Sequence, residues 1–203
     1  MNFLEYELTA DALVMGERPK AGTFLPCVQT IPYSQITGAL RRHFSDKPEL
    51  HAAGHLVEED GRNVPDWLIY SPRDRGTQKS KVPLQVQFLR NVLARVYLPQ
   101  NEASKGLPDA FDLAMGGFLS KGFGMCHLRR VGEVDGGNPT PGLLNTRIPI
   151  KRLPLFNVKD KGAPIYGYLF QPDRDNPLTG IYVLSLFESS VVVGPPFLLQ
   201  PRR

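Results

Sequence analysis

Cysteine is almost missing from this 203-residue chain: there are two, Cys27 and Cys126, far apart in sequence. So placed, they make neither a disulfide framework nor a paired zinc-ligand motif, and a reduced, cytoplasmic setting is the expectation. Long apolar runs are missing too. The opening MNFLEYELTA carries two glutamates, so it reads as neither a signal peptide nor a membrane span. No G-x-x-x-x-G-K-[ST] follows a strand, which excludes a nucleotide P-loop, and no segment repeats at a fixed period. Histidine is scarce, with four in all. His51 and His55 stand four apart in HAAGH, but no Glu occupies the zincin position and no third ligand is spaced nearby. Two surface histidines are expected there, and neither a metal nor a cofactor.

Glycine and proline are abundant, 19 of each, which points to turns and irregular segments rather than a helical bundle. Apolar residues make up 41%, enough for a core. The net charge is a modest +4, but it is unevenly spread. Between Arg73 and Arg95 six basic residues face one acid, and between Phe118 and Arg152 six face two. Such separation suits an anionic partner such as nucleic acid, with scattered solvated charge as the alternative.

Alternation in FLEYELTADALVM predicts a first strand, followed by a proline-rich surface loop. YSQITGALRRHF places Ile36, Ala39, Leu40 and Phe44 at helical spacing, with Ser34 as N-cap and an end near Ser45. DWLIYS and VPLQVQFL read as a hairpin-like pair inserted at about 56–90. Its tip, PRDRGTQKSK, is basic, lacks an apolar anchor and reads as exposed and mobile. VLARVYLP is a further strand. LPDAFDLAMGGFL places Leu107, Phe111, Ala114 and Met115 at helical spacing and predicts a second helix, stopped by Gly116 and Gly117. FGMCHLRRVGEV is a strand. The order is βαββαβ, an α+β, ferredoxin-like (RRM-like) domain over 1–135. A β-rich extension over 136–203 either adds a second small sheet or extends the first.

The stretch GGFLSKGFGMCHLRRV spends four glycines in nine residues. Each costs chain entropy, so each needs a positive φ or a close neighbour. Gly122 and Gly124 lie on entry to a strand, where a missing side chain admits a backbone or a ligand. Successive bare N–H groups can line a concavity for phosphate oxygens, with Ser120 adding a hydroxyl and Lys121 a charge; a plain turn is the alternative. Tyr33, Phe118 and Phe123 can stack on bases or pack in a core. His43 caps a helix end and His127 sits in an alternating strand; either is a candidate general base for RNA cleavage. Asp109 and Asp112 lie near the start of the expected second helix, where acids are favourable anyway.

TIPYSQITGALRRHF resembles the motif near the first helix of the RAMP superfamily, the ferredoxin-fold RNA-binding subunits of CRISPR effector complexes. GGFLSKGFGMCHL is similar to that superfamily's glycine-rich loop, and the C-terminal segment is similar in character to the tail of the handle-capping subunits, the fifth Cas family and its type III relatives. Tyr33 stands where glycine is common. The loop from Met15 to Thr30, where RNA-cutting backbone subunits carry an Asp, has none, and Glu17 is its only acid. The resemblance therefore implies a non-catalytic subunit of a type III effector complex that grips the 5′ handle of the guide RNA. It implies RNA contacts from Ser34, Arg41, Arg42, Gly116, Gly117, Ser120, Lys121, Gly122, Gly124, Arg129 and Arg130. Arg73, Arg75, Lys79 and Lys81 would act as a thumb on RNA or a neighbour. The implied partners are the guide, the large and backbone subunits and, indirectly, target RNA, with no membrane. An endoribonuclease built on His43 or His127 is the alternative.

Overall fold

The computed structural model describes residues 1–16, 22–173 and 179–200. Glu17 lies outside them. The first strand, β1 (Asn2–Leu13), buries Leu4, Tyr6, Leu8 and Ala10 on one face and turns Glu5, Glu7 and Thr9 to the other. After a two-residue strand, β2 (Phe24–Leu25), comes the helix α1 (Tyr33–His43), which buries Tyr33, Ile36, Thr37 and Leu40 at the spacing of one helical face. Its N-cap is Pro32 rather than Ser34, and no side chain caps it. The Tyr33 N–H, an orphan donor of the first turn, instead reaches the Arg147 carbonyl at 3.0 Å. The helix stops at His43, short of Ser45.

β3 (Ala53–Leu56) and β4 (Val64–Tyr70) lie end to end along one edge of β5 (Leu84–Pro99), and β1 and β2 pair along the other. The two strands expected over VPLQVQFL and VLARVYLP are thus one strand of 16 residues. Asn91 interrupts it with a left-handed φ of 51°. Opposite, Asn63 (φ 53°) fills the break between β3 and β4: its amide donates to the Val57 and Leu93 carbonyls at 2.7 and 3.1 Å and accepts from the Leu93 N–H at 2.9 Å. The outer half of β5 and β4 form an arm beyond the body of the sheet.

The second helix does not form. Residues Ala110–Ala114 are a strand, β6, antiparallel to β7 (Met125–Asp135), with Leu113 opposite Cys126 and Phe111 opposite Leu128. Phe111, Leu113 and Met115 alternate at spacing two as well as lying within a helical pattern, and the edge of β7 selects the strand. The wide part of the sheet runs β3–β5–β1–β7–β6, antiparallel throughout.

The C-terminal part forms two three-stranded sheets. One joins β8 (Thr140–Leu143), β10 (Lys159–Ala163) and β13 (Val191–Gly194); the other joins β9 (Ile148–Pro149), β11 (Tyr166–Pro172) and β12 (Gly180–Leu186). A first core lies between α1 and the main sheet, with Tyr6, Leu8, Ile36, Leu40, Val96 and Leu128. A second core draws Phe3, Tyr33 and Tyr97 from the N-terminal part against Phe156, Leu186 and Leu198. Among the described residues no helix is long and apolar enough to cross a membrane.

Candidate nucleic-acid interface

The glycine-rich stretch follows β6 and so leaves a strand rather than a helix. Two of its glycines are fixed by the chain itself. Gly116 (φ 86°) and Gly124 (φ 79°) both take left-handed conformations. A Cβ on Gly116 would lie 2.3 Å from the Val14 carbonyl oxygen, and one on Gly124 would lie 2.1 Å from the Met115 carbonyl oxygen. The N–H groups of Gly117 and Gly124 donate to the Val14 and Ala12 carbonyls, both at 2.8 Å. Gly116, Gly117 and Gly124 therefore seat the turn on the end of β1, and the backbone that approaches Gly116 and Gly124 closely is the chain's own. A single 3-10 turn, Leu119–Lys121, projects between Phe118 (φ 58°) and Gly122 (φ 86°). Ser120, Lys121 and Gly122 are exposed, and open space surrounds the missing Cβ of Gly122.

This turn is joined to the base of the arm. The Lys121 ammonium sits 4.8 Å from the centroid of the Tyr70 ring. Phe118 meets Tyr70 edge-on at 6.1 Å and Phe123 meets Phe88 edge-on at 5.0 Å. Farther out, the arm tip is exposed, as expected, and closed on itself by polar contacts. The Asp74 carboxylate accepts from the Gly76 and Thr77 N–H groups and the Thr77 hydroxyl at 3.0, 2.9 and 3.1 Å. These bonds, the Thr77 ones first, hold its pKa below the ordinary value. Lys81 pairs with Asp74 at 3.4 Å. Arg73, Arg75 and Lys79 are exposed and, among the described residues, without a carboxylate partner.

The remaining predicted cations do not join this surface. Arg129 and Arg130 point to opposite faces of β7. Arg129 binds Glu7 at 3.0 Å, and Arg130 binds Glu133 at 2.7 Å and Asp109 at 3.6 Å. Arg41 is turned inward, its Nε donating to the Leu50 carbonyl at 2.8 Å and its Nη2 lying 3.1 Å from His51 Nδ1. Ser34 lies in the first turn of α1, and exposed Arg42 lies in its last turn.

The histidines also depart from expectation. His51 is buried and His55 half-buried, so neither is a surface histidine. His51 Nδ1 lies 2.5 Å from the Tyr33 hydroxyl. Burial first, then the Arg41 and Arg152 guanidiniums, push its pKa down to about 4. Tyr33 is buried in this pair and offers no face to a base. His43 is exposed, stacks on Phe111 and meets Phe44 edge-on. His127 does have an orienting carboxylate: its Nδ1 lies 2.7 Å from Asp112 Oδ1 across the β6–β7 pair. The two residues line a shallow groove of about 310 Å³ with Thr9, Asp11, Arg62 and Asn91. That contact was invisible while 107–115 read as a helix, because only strand register brings Asp112 opposite His127. Among the described residues no three His, Cys, Asp or Glu side chains converge to hold a metal. Both cysteines are buried and free, and burial pushes the Cys126 thiol up to about 12.

No family model and no curated protein matches the chain. Solved structures do. A chain of the type III-B Cmr-beta bound to cognate target RNA, seen by cryo-EM, aligns with a TM-score of 0.59 at 11% identity, covering 94% of this chain and 86% of that one. A chain of the same assembly bound to cognate target RNA and AMPPnP aligns with a TM-score of 0.56 at 12% identity, covering 96% and 86%. The protein therefore shares its fold with chains of the type III-B Cmr-beta structures.

Proposed function

We propose that this protein is a non-catalytic, RNA-binding subunit of a type III CRISPR effector complex that grips the 5′ handle of the guide RNA and docks against the large and backbone subunits. The observation that carries the reading is the fold likeness over nearly the whole chain to Cmr-beta chains from RNA-bound structures. Three features support it. The strands β7, β1, β5 and β3 lie side by side in the order of the fourth, first, third and second strands of a ferredoxin-like sheet, although the second helix is replaced by β6. The glycine-rich turn and the arm base form one surface carrying Lys121, Ser120 and the exposed tip cations. The sequence from Met15 to Thr30 contains no Asp, consistent with a subunit that holds RNA without cutting it. The test is to express the protein with its neighbouring genes, extract the bound RNA and sequence its 5′ ends. Uniform repeat-derived 5′ ends crosslinked to this chain are expected. RNA that crosslinks only to other subunits would overturn the assignment.

His127 and Asp112 favour a second reading, an endoribonuclease. A carboxylate on Nδ1 fixes the tautomer that leaves Nε2 as a proton acceptor. Single-turnover incubation of excess protein with labelled repeat RNA and with guide-paired target, with and without Mg²⁺, separates the two. No cleavage is expected. Site-specific cleavage lost in both His127→Ala and Asp112→Asn would replace the first reading with the second.

A further inference from the structure

The junction of the arm and the glycine-rich turn holds four half-buried aromatic rings: Tyr70 and Phe88 from the arm, Phe118 and Phe123 from the turn. They meet edge to face, with interplanar angles of 89° for Tyr70–Phe118 and 73° for Phe88–Phe123. A ring whose edge partner holds it in place keeps a face available. On Tyr70 a face is occupied by Lys121, whose ammonium has no carboxylate partner among the described residues. A lysine resting on an aromatic face in a half-exposed site is weakly held, by a factor of about 2 to 5. It is a contact that a better partner displaces.

We propose that Tyr70 is the stacking site for one unpaired base of single-stranded RNA, and that Lys121 covers the ring until RNA arrives and then pairs with a phosphate of the same strand. The proposal rests on the RNA-binding reading above. Both halves of a nucleotide find their chemistry at one junction: a π face for the base on Tyr70 of the arm, and the Lys121 ammonium with the exposed Ser120 hydroxyl in the adjoining turn for the phosphate. The open space at Gly122 leaves room for the backbone of the strand beside them. Stacking on an aromatic side chain contributes about 5- to 150-fold in affinity per base, more than the lysine contact it displaces. Every base has a π face, so the site selects a position along the strand rather than one base.

The experiment is a titration of a labelled, mixed-sequence single-stranded RNA and a series of the same RNA with one abasic nucleotide at each position. The proteins are wild type, Tyr70→Leu, Tyr70→Phe and Lys121→Gln, each checked by a thermal melt. Tyr70→Leu should weaken binding to intact RNA by about 5- to 150-fold, and Tyr70→Phe should bind like wild type. One abasic position should weaken wild type to a similar degree, and Tyr70→Leu should lose nothing further on that RNA. Lys121→Gln should flatten the salt dependence by about 0.7 in log–log slope. Photocrosslinking of 4-thiouridine RNA to wild type, with the adduct mapped to Tyr70, supplies the same answer without a substitution. RNA binding by wild type with Tyr70→Leu unchanged and no crosslink at Tyr70, or with the Tyr70→Leu loss equal on every abasic RNA, overturns the stacking site alone. No RNA binding by wild type overturns the RNA-binding reading and this one with it.

Discussion

Single residues carry two kinds of constraint. Gly116 and Gly124 are held by the chain's own carbonyls, so Gly124→Ala should fail to fold or melt far below wild type, its Cβ meeting backbone that cannot move aside. Gly122→Ala meets nothing and should lose only about 1–2 kcal/mol for its left-handed backbone. Thermal melts of the two variants, side by side, check the contrast, and equal losses would refute it. His51 makes a different prediction. Its Nδ1 faces two donors, the Tyr33 hydroxyl and the Arg41 guanidinium, so the folded protein keeps the ring neutral. The unfolded chain takes up its proton near pH 6.5 and the folded one only near 4. Stability is therefore fully present above pH 6.5 and is lost as pH falls toward 4, by up to about 3 kcal/mol. Chemical denaturation between pH 7 and 4.5 should show His51→Gln with a shallower decline than wild type. Parallel curves would refute the buried neutral ring.

At the level of elements, the arm tip is a turn closed by one carboxylate. Asp74→Ala removes the acceptor for three donors and the partner of Lys81. Tryptic cleavage after Arg73, Arg75 or Lys79 should then accelerate in the free protein, while assembly with RNA and partner subunits should suppress cleavage in wild type. An unchanged rate in Asp74→Ala would mean that the strands alone hold the tip. Strands were the legible elements: β1, β4 and β7 lie where the sequence reading put them. The helix over Tyr33–His43 was legible as well, though its cap was not, because the donor at Tyr33 is satisfied by a residue more than a hundred positions away. The stretch 107–115 satisfied two periods at once, and only the edge of β7 decides between them. That one ambiguity hid the Asp112–His127 pair. The glycine turn was found in the right place, but what approaches Gly116 and Gly124 was not, since close approach by the chain's own backbone and by a ligand look the same in sequence.

The whole molecule sorts its charge by pairing. Arg129 and Arg130 are neutralised in place, whereas Arg73, Arg75, Lys79 and Lys121 carry charge that no described carboxylate offsets. If those four meet phosphates, log K against log salt should slope by about −3, at about −0.7 per phosphate on a single strand. Arg129→Gln should leave that slope unchanged, and Arg75→Gln should flatten it. A slope near zero would make the arm solvated surface. The arm's direction, in turn, depends on the two left-handed asparagines at its root. From Asn91 to Leu84 the strand reaches roughly 23 Å at about 3.3 Å per residue, so a swing of about 10° at the root carries its far end by about 4 Å. On one edge the root of the arm is bridged only by the Asn63 amide, whereas on the other β1 and β2 continue past the break and brace it. Substitutions at Asn63 or Asn91 should therefore re-aim the tip without altering any residue on it.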